Sequence, residues 1–345
     1  MKITHLFIVI LLILTSCTEE TDITSNNNLE ISAISSANSF IYDTVTIYGT
    51  GFGLEEIELN SSSEIFDYEV ISFSNTEFTF VPLSHTELIE ISFFVDGVES
   101  NSLPFSVSLT PSYDTIYIES GIFEMGSITG FSDESPVHEV TLTNDLYVFR
   151  NEVTNLLWYH IMDTLVTPTK LREYPKDSIS WQESILFANR LSMIYGFEPA
   201  YTINNDLVEY NMESNGWRLP TEAEWEFICK GNSEEDFSGT GDINEMGYYD
   251  SNSGLNKHKV GEKKANENGL YDVHGNLWEW CWNFYSETYY STMSQVDPLG
   301  PSNGIRHVLR GGSFQDGFNY ARSTNRSIKK LDLNAIGLRL VRNAK

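Results

Sequence analysis

Gly216-Trp-Arg-Leu-Pro-Thr-Glu-Ala-Glu-Trp-Glu-Phe227 carries the most informative local pattern in this chain of 345 residues. Thr221 with Glu224 three positions on forms a capping box, in which each side chain satisfies a backbone N–H that the first helical turn leaves without a partner. Ala223, Phe227 and Ile228 then recur at helical spacing, and Gly231 offers a stop. Ser180 with Glu183 opens a second helix in the same way, along which Trp181, Ile185, Ala188, Leu191 and Ile194 share an inward face. Around these helices, from 114 to 343, the chain is rich in Gly, Asn, Ser and aromatic residues with little periodicity. That predicts an α+β domain with much irregular structure, and excludes a repeat protein or a βαβ sheet.

The upstream pattern is different. Leu29–Ile34, Thr44–Tyr48, Tyr68–Phe73, Glu77–Val81, Ile89–Val95 and Leu103–Val107 alternate β-branched or aromatic residues with polar ones, between Gly, Asn, Ser and Asp. They predict an all-β module over residues 29–108. Gly49 and Gly51 are expected to permit the turn that lets Phe52 plug the module. Pro111, in Ser108-Leu-Thr-Pro-Ser-Tyr-Asp114, marks a boundary between the two regions.

Residues 1–16 read as an export signal: Lys2, then the apolar run Leu6–Leu14, too short to span a bilayer as a helix. Leu14-Thr15-Ser16-Cys17 resembles the lipobox of bacterial lipoproteins, which implies acylation of Cys17 and a membrane-tethered protein. An ordinary secretory signal with an incidental cysteine is the plainer alternative. Residues 17–28 form a flexible acidic linker; Thr-Glu-Glu-Thr-Asp after Cys17 resembles an export tag of surface lipoproteins and equally suits a solvated tether.

Composition narrows the function. With 49 acidic against 21 basic residues and a net charge of −28, the chain lacks the basic face that nucleic acid requires, while carboxylates suit hard cations such as Ca²⁺. The three cysteines, Cys17, Cys229 and Cys281, exclude a disulfide-dense scaffold. Neither a Gly-x-Ser-x-Gly elbow nor a phosphate-binding glycine loop is present, and the histidines show no metal-ligand pairing beside a glutamate.

Two resemblances extend this reading. Asp43-Thr-Val-Thr-Ile-Tyr-Gly-Thr-Gly-Phe52, with Val95–Phe105, resembles the immunoglobulin-like IPT/TIG domain, which implies a β-sandwich spacer over 29–108. Seven strings in order resemble the formylglycine-generating enzyme (sulfatase-modifying factor) family: Gly121–Ser127, Ser135–Leu142, Asn151–Asn155, Gly216–Phe227, Asn268–Trp280, Leu309–Phe314 and Gly337–Arg342. The implied fold is α+β and related to C-type lectins.

The family oxidises a sulfatase cysteine to formylglycine with Cu(I) held by two cysteines after the Arg-Gly-Gly-Ser motif, since soft Cu(I) prefers thiolate. Counting from Arg310-Gly-Gly-Ser313, those positions fall at Asp316 and near Ala321, in a loop that looks shortened, and no cysteine follows Cys281. No copper is therefore expected, and Cys229 and Cys281 are read as small apolar core residues or as a pair. The resemblance also implies a structural Ca²⁺ held by the carboxylates of Asp272 and Glu279 and the carbonyls of Gly275 and Leu277; without metal, those carboxylates would serve loop amides. Arg310, Arg322 and Arg326, with Ser313, would surround the vacated copper pocket and hold an anionic or peptide ligand, or else pair with carboxylates. Trp217, Trp225, Trp278, Trp280 and Trp282 are expected in the core rather than in a sugar or peptide groove.

These readings predict a lipoprotein of the cell envelope, tethered at the outer membrane and surface-exposed, whose second domain is a non-catalytic binding or structural module with a protein or glycan partner. The competing class is an oxidoreductase of the sulfatase-modifying type acting on a protein substrate.

Overall fold

Period-two alternation builds two sheets in the first part of the chain. The computed structural model describes residues 29–35, 38–40, 44–52, 58–61, 68–82, 86–95, 98–108, 113–162, 171–204, 207–328 and 333–344. The export segment, Cys17, the acidic linker, His85 and Pro111 lie outside them. Two compact units result, with the main break between Ser106 and Val107.

The first unit contains β1 (Glu30–Ile34), β2 (Asn38–Phe40), β3 (Val45–Thr50), β4 (Glu58–Ser61), β5 (Tyr68–Phe73), β6 (Glu77–Pro82), β7 (Thr86–Val95), β8 (Val98–Glu99) and β9 (Leu103–Ser108). One sheet runs β1-β3-β6-β5 and the other β2-β9-β7-β4, with β8 paired to β7. The register Val45↔Phe80 and Ile47↔Phe78 places these four residues inward, where all are buried. Phe78 and Phe80 of one sheet meet Phe93 and Phe105 of the other at ring-centroid distances of 4.9 and 5.7 Å.

Phe52 is fully buried against Phe93 at 4.7 Å, the plug expected of it. The two glycines before it serve different ends. Gly51 has φ +81, which supplies the turn. Gly49 is needed for space instead: a Cβ there would stand 2.2 Å from the Glu30 carbonyl and 2.5 Å from the Phe52 ring.

The second unit contains β10 (Thr115–Ile118), β11 (Gly121–Met125), β12 (His138–Leu142), β13 (Leu146–Phe149), α1 (Asn155–Met162), α2 (Trp181–Ile194), β14 (Tyr201–Asn204), β15 (Leu207–Tyr210), α3 (Glu222–Lys230), α4 (Ile243–Met246), β16 (Trp278–Phe284), β17 (His307–Arg310), β18 (Ile336–Gly337) and β19 (Val341–Asn343). Its strands form small sheets, β10-β13-β19 and β17-β16-β18 with three strands each, and the pairs β11-β12 and β14-β15. Both expected capping boxes form: Ser180 accepts from the Glu183 N–H and Thr221 from the Glu224 N–H, and α3 ends at Gly231.

Ile185, Ala188 and Leu191 of α2 are buried, whereas Ile194 is exposed because the helix closes at Tyr195 and its last turn outruns the core. Helix α1 has a weaker signal, a lone Thr154 whose hydroxyl accepts from the Leu157 N–H at 3.3 Å. It packs on α2 through Trp158 stacked on Phe187 at 4.9 Å. Helix α3 buries Trp225, Ile228 and Cys229 against Ile118, Val148, Val308 and Val341. Among the described residues no helix is long and apolar enough to cross a membrane.

Candidate functional site

Strand β17 ends in Arg310-Gly311-Gly312-Ser313, where Gly311 and Gly312 take φ +93 and +76. At Gly312 a Cβ would lie 2.8 Å from the Tyr320 carbonyl, so glycine lets the 313–321 loop fold back onto the strand end. This loop holds the two positions at which the family chemistry needs thiolates. Asp316 accepts hydrogen bonds from the Trp278 indole at 2.8 Å and from the Ser313 hydroxyl. Ala321 is buried, and its carbonyl accepts from His274 Nδ1 at 2.8 Å.

Cys229 and Cys281 do not replace the missing pair. Both are free and buried, packed in the same apolar cluster as Trp225 and Val273. Burial pushes the Cys229 thiol up to about 12, and its Sγ lies 4.0 Å from His274 Nε2. Burial in turn drives His274 down to about 4, so the two stand as neutral thiol and neutral imidazole, not as a thiolate–imidazolium pair. Burial likewise holds Cys281 well above the usual thiol range. Among the other described histidines, His138, His258 and His307 each face a backbone carbonyl.

The arginines expected around the vacated pocket are committed elsewhere. Arg322 donates to both oxygens of Glu134 at 2.8 and 2.6 Å. Arg326 grips Glu222 in the same two-pronged way at 2.7 and 2.6 Å. Arg310 pairs with Glu226 and lies 3.4 Å from Glu222. All three guanidinium groups are buried, and a buried charge persists only when paired and hydrogen-bonded. Of the two readings of these arginines, pairing with carboxylates is the one that holds. Burial alone would raise the Glu226 carboxyl, but Arg310 and Lys230 bring it below its usual range.

A cleft of about 500 Å³ lies beside this network, lined by Phe131, Asp133, Tyr285, Arg306, Tyr320 and Asn325 among others. Trp278 links it to the vacated position, since the indole that donates to Asp316 also meets Tyr320 edge-on at 6.3 Å. Asn325 is buried, and its Oδ1 has no hydrogen-bond partner, an acceptor left for a ligand or water. Glu134 shapes the cleft: it accepts from the Phe131 N–H at 3.0 Å and ties the Phe131–Asp133 turn to Arg322 and Thr324. No local pattern in the sequence announces Glu134 or Asn325, whose partners are distant in the chain.

The residues offered for calcium surround a different buried charge cluster. Glu279 accepts from Arg339 Nη2 at 2.7 Å and from the Trp225 indole at 2.6 Å. Asp272, at φ +60, accepts from the Gly261 N–H at 2.7 Å through Oδ2, while its buried Oδ1 has no hydrogen-bond partner. Burial raises Asp272 to about 6. Gly275 has φ +129 and lies so close to Tyr248 that a Cβ would meet the Tyr248 carbonyl at 2.1 Å. Leu277 donates its N–H to Glu152 at 2.9 Å. Sequence reasoning missed Glu152, which is held well above its usual range by burial and by the nearby Asp272 and Glu279. Among the described residues no group of three or more His, Cys, Asp or Glu is arranged to hold a metal ion.

Of the tryptophans, Trp217, Trp225 and Trp278 are fully buried, as expected of core residues. Trp280 and Trp282 are half-buried and pack against the core cluster of Trp181, Leu191, Tyr201 and Trp217, and Trp282 also lines a second cavity together with Trp181.

Residues 101–344 match the family described as sulfatase-modifying factor enzyme 1-like domain. The chain is 31% identical over 277 residues to the chaperone protein LppX of Paenibacillus barcinonensis, an alignment spanning 69% of this chain and 92% of that protein. It is 37% identical over 114 residues to the formylglycine-generating enzyme of Streptomyces coelicolor, covering 29% of this chain and 36% of that enzyme. Among solved structures, Treponema denticola variable protein 1 superposes with a TM-score of 0.62 at 28% identity, covering 74% of this chain and 99% of that one.

Proposed function

The chain belongs to the family of sulfatase-modifying factor enzyme 1-like domains, and from that premise we propose that it is a cell-envelope lipoprotein whose family domain binds a partner and does not catalyse. One observation carries the loss of catalysis: no cysteine follows Cys281, so the positions counted from Arg310-Gly-Gly-Ser313, at Asp316 and near Ala321, supply no thiolate pair. Incubation of the purified protein with Cu(I), oxygen and a sulfatase-motif peptide is expected to yield no aldehyde above the blank. Clear turnover would return the protein to the oxidoreductases.

Within this reading residues 29–108 form an immunoglobulin-like IPT/TIG sandwich that acts as a spacer, and residues 114–343 form a domain related to C-type lectins. Support for the tether comes from Leu14-Thr15-Ser16-Cys17 and the acidic linker to residue 28, which suit acylation of Cys17 and an exposed position at the outer membrane. Labelled palmitate should enter the wild-type protein and not Cys17→Ser. A relative named as a chaperone, matched over nearly all of its length, favours a polypeptide over a glycan as the partner.

A structural calcium on Asp272, Gly275, Leu277 and Glu279 is a separate proposal. The unpartnered, buried Oδ1 of Asp272 supports it, being an acceptor that a hard cation would satisfy. Arg339 already neutralises Glu279, so the metal would have to share that carboxylate. Chelator should lower the melting temperature of the wild type and leave Asp272→Ala unmoved; an unshifted wild-type melt removes the metal.

A further inference from the structure

Trp282 and Phe284 of β16, half-buried on either side of the buried Asn283, present their rings to one face. On that face a cavity of about 600 Å³ is lined by Trp181, Leu207, Trp282, Phe284, Ile305 and His307, among others. Its volume lies within the usual range of ligand sites. The wall is built before any ligand arrives. His307 is sandwiched between Trp181 at 3.7 Å and Phe284 at 4.3 Å. Both members of the first pair are anchored to backbone, Trp181 Nε1 donating to the Cys281 carbonyl at 3.1 Å and His307 Nδ1 to the Trp282 carbonyl at 2.8 Å. A wall already held in this way loses little conformational freedom on binding.

Charge and exposure specify the occupant. In a chain of net charge −28, none of the twelve lining residues is Asp, Glu, Lys or Arg. An ion entering would give up its hydration with no opposite charge to replace it. Leu207 and Ile305 line the cavity yet are 60% and 97% exposed, so apolar surface continues from the ring-lined floor out to solvent. A small molecule seated among the rings would leave that surface wet, whereas a polypeptide running on past it would cover it.

We propose that this cavity docks an uncharged segment of a partner polypeptide, which inserts bulky aromatic or branched side chains between the rings. Such docking presupposes the binding-module reading and gives it a partner chemistry.

The full chain is titrated with N-phenyl-1-naphthylamine, an uncharged apolar dye, and the dye is then displaced. Acetyl-Gly-Trp-Leu-Gly-amide should displace it, and counterparts with Asp-Asp or Lys-Lys in place of Trp-Leu should bind about tenfold or more weakly. Methyl glucoside should leave the dye bound. The double variant Leu207→Asp, Ile305→Asp changes only exposed side chains and should keep the wild-type melt while weakening the Trp-Leu peptide about tenfold. Absence of saturable dye binding, displacement by the glycoside and not by the peptide, or wild-type affinity in the folded double variant would each overturn the docking site. Aldehyde formation by a protein that still binds the peptide would remove the non-catalytic reading and leave docking intact. Lost peptide affinity with no aldehyde would do the reverse.

Discussion

The two units of this chain solve the same problem, a dry core, with opposite materials. In the first, Phe52, Phe78, Phe80, Phe93 and Phe105 meet between two sheets, and Ser92 is the only buried polar side chain among that unit's described residues. In the second, Arg218, Arg310 and Arg339 rank among the largest fully buried side chains, beside Trp217, Trp225 and Trp278.

Backbone hydrogen bonding explains the contrast. Strands satisfy their own N–H and C=O groups in ladders, so only side-chain volume remains to be packed. Long loops cannot do this, and here buried guanidinium groups supply the missing donors. Arg339 donates to the carbonyls of Phe149, Arg150 and Tyr271, and Arg310 to those of Ser323 and Asn325. Each then needs a carboxylate, and Glu279 and Glu226 provide it. A framework of this kind holds irregular loops in place, and the segment around Asn325 that Arg310 holds also borders the cleft beside Tyr320.

The sharpest way to break this contrast is to remove one charge. Arg310→Met strips Glu226 of its buried guanidinium partner, leaving it Lys230 and the Gly126 N–H while Glu222 keeps Arg326, and should cost about 3 kcal/mol. All seven tryptophans lie in the second unit, so urea unfolding followed by tryptophan fluorescence reads the loss directly. A midpoint within error of wild type would show that the network is not stabilising.

In the first unit the corresponding cut is steric. Phe93→Ala opens a cavity between the sheets and should cost about 3 kcal/mol. The loss would be seen by far-UV circular dichroism, with the tryptophan transition left in place because each unit has its own core. Displacement of both signals together would mean that the cores are not separate.

A smaller effect is set by pH. Burial lowers His274 from an ordinary 6.5 to about 4, so the unfolded chain binds this proton more readily. The resulting stability is complete above 6.5 and is lost as pH falls toward 4, by about 2 kcal/mol at pH 5. Asp272, raised to about 6, acts with the opposite sign over an overlapping range. The comparison to make is therefore the stability of wild type minus that of His274→Gln at pH 7 and pH 5. That difference should shrink toward pH 5, and a constant value would contradict a neutral buried imidazole.

The mildest change tests local determination. Thr221→Ala removes the cap of α3 and should cost about 1 kcal/mol in the tryptophan-monitored transition.

Legibility followed distance along the chain. Thr221 and Ser180 satisfy N–H groups only three residues away, so both helix starts were readable, and strand alternation likewise depends on neighbours. The lack of a cysteine pair after Arg310–Ser313 was readable too, because absence of a residue type needs no coordinates. The arginine pairings were not. Arg322 finds Glu134 across 188 residues and Arg326 finds Glu222 across 104, and no local pattern distinguishes those carboxylates among 49. The two sides of Trp282 were legible only in part for a related reason: its place in the core was expected, but only the neighbours brought in by the fold decide that it packs on the core cluster and also lines a cavity.

By itself, then, the sequence determined two regions of different kind, the helix starts, the family and the loss of its thiolates, all properties carried by local pattern or residue inventory. Tertiary structure alone decided which arginine neutralises which carboxylate and which aromatic face stays open. Burial, which sets both the cost of an unpaired charge and the value of an apolar wall, is a property of the folded surroundings and not of any one segment.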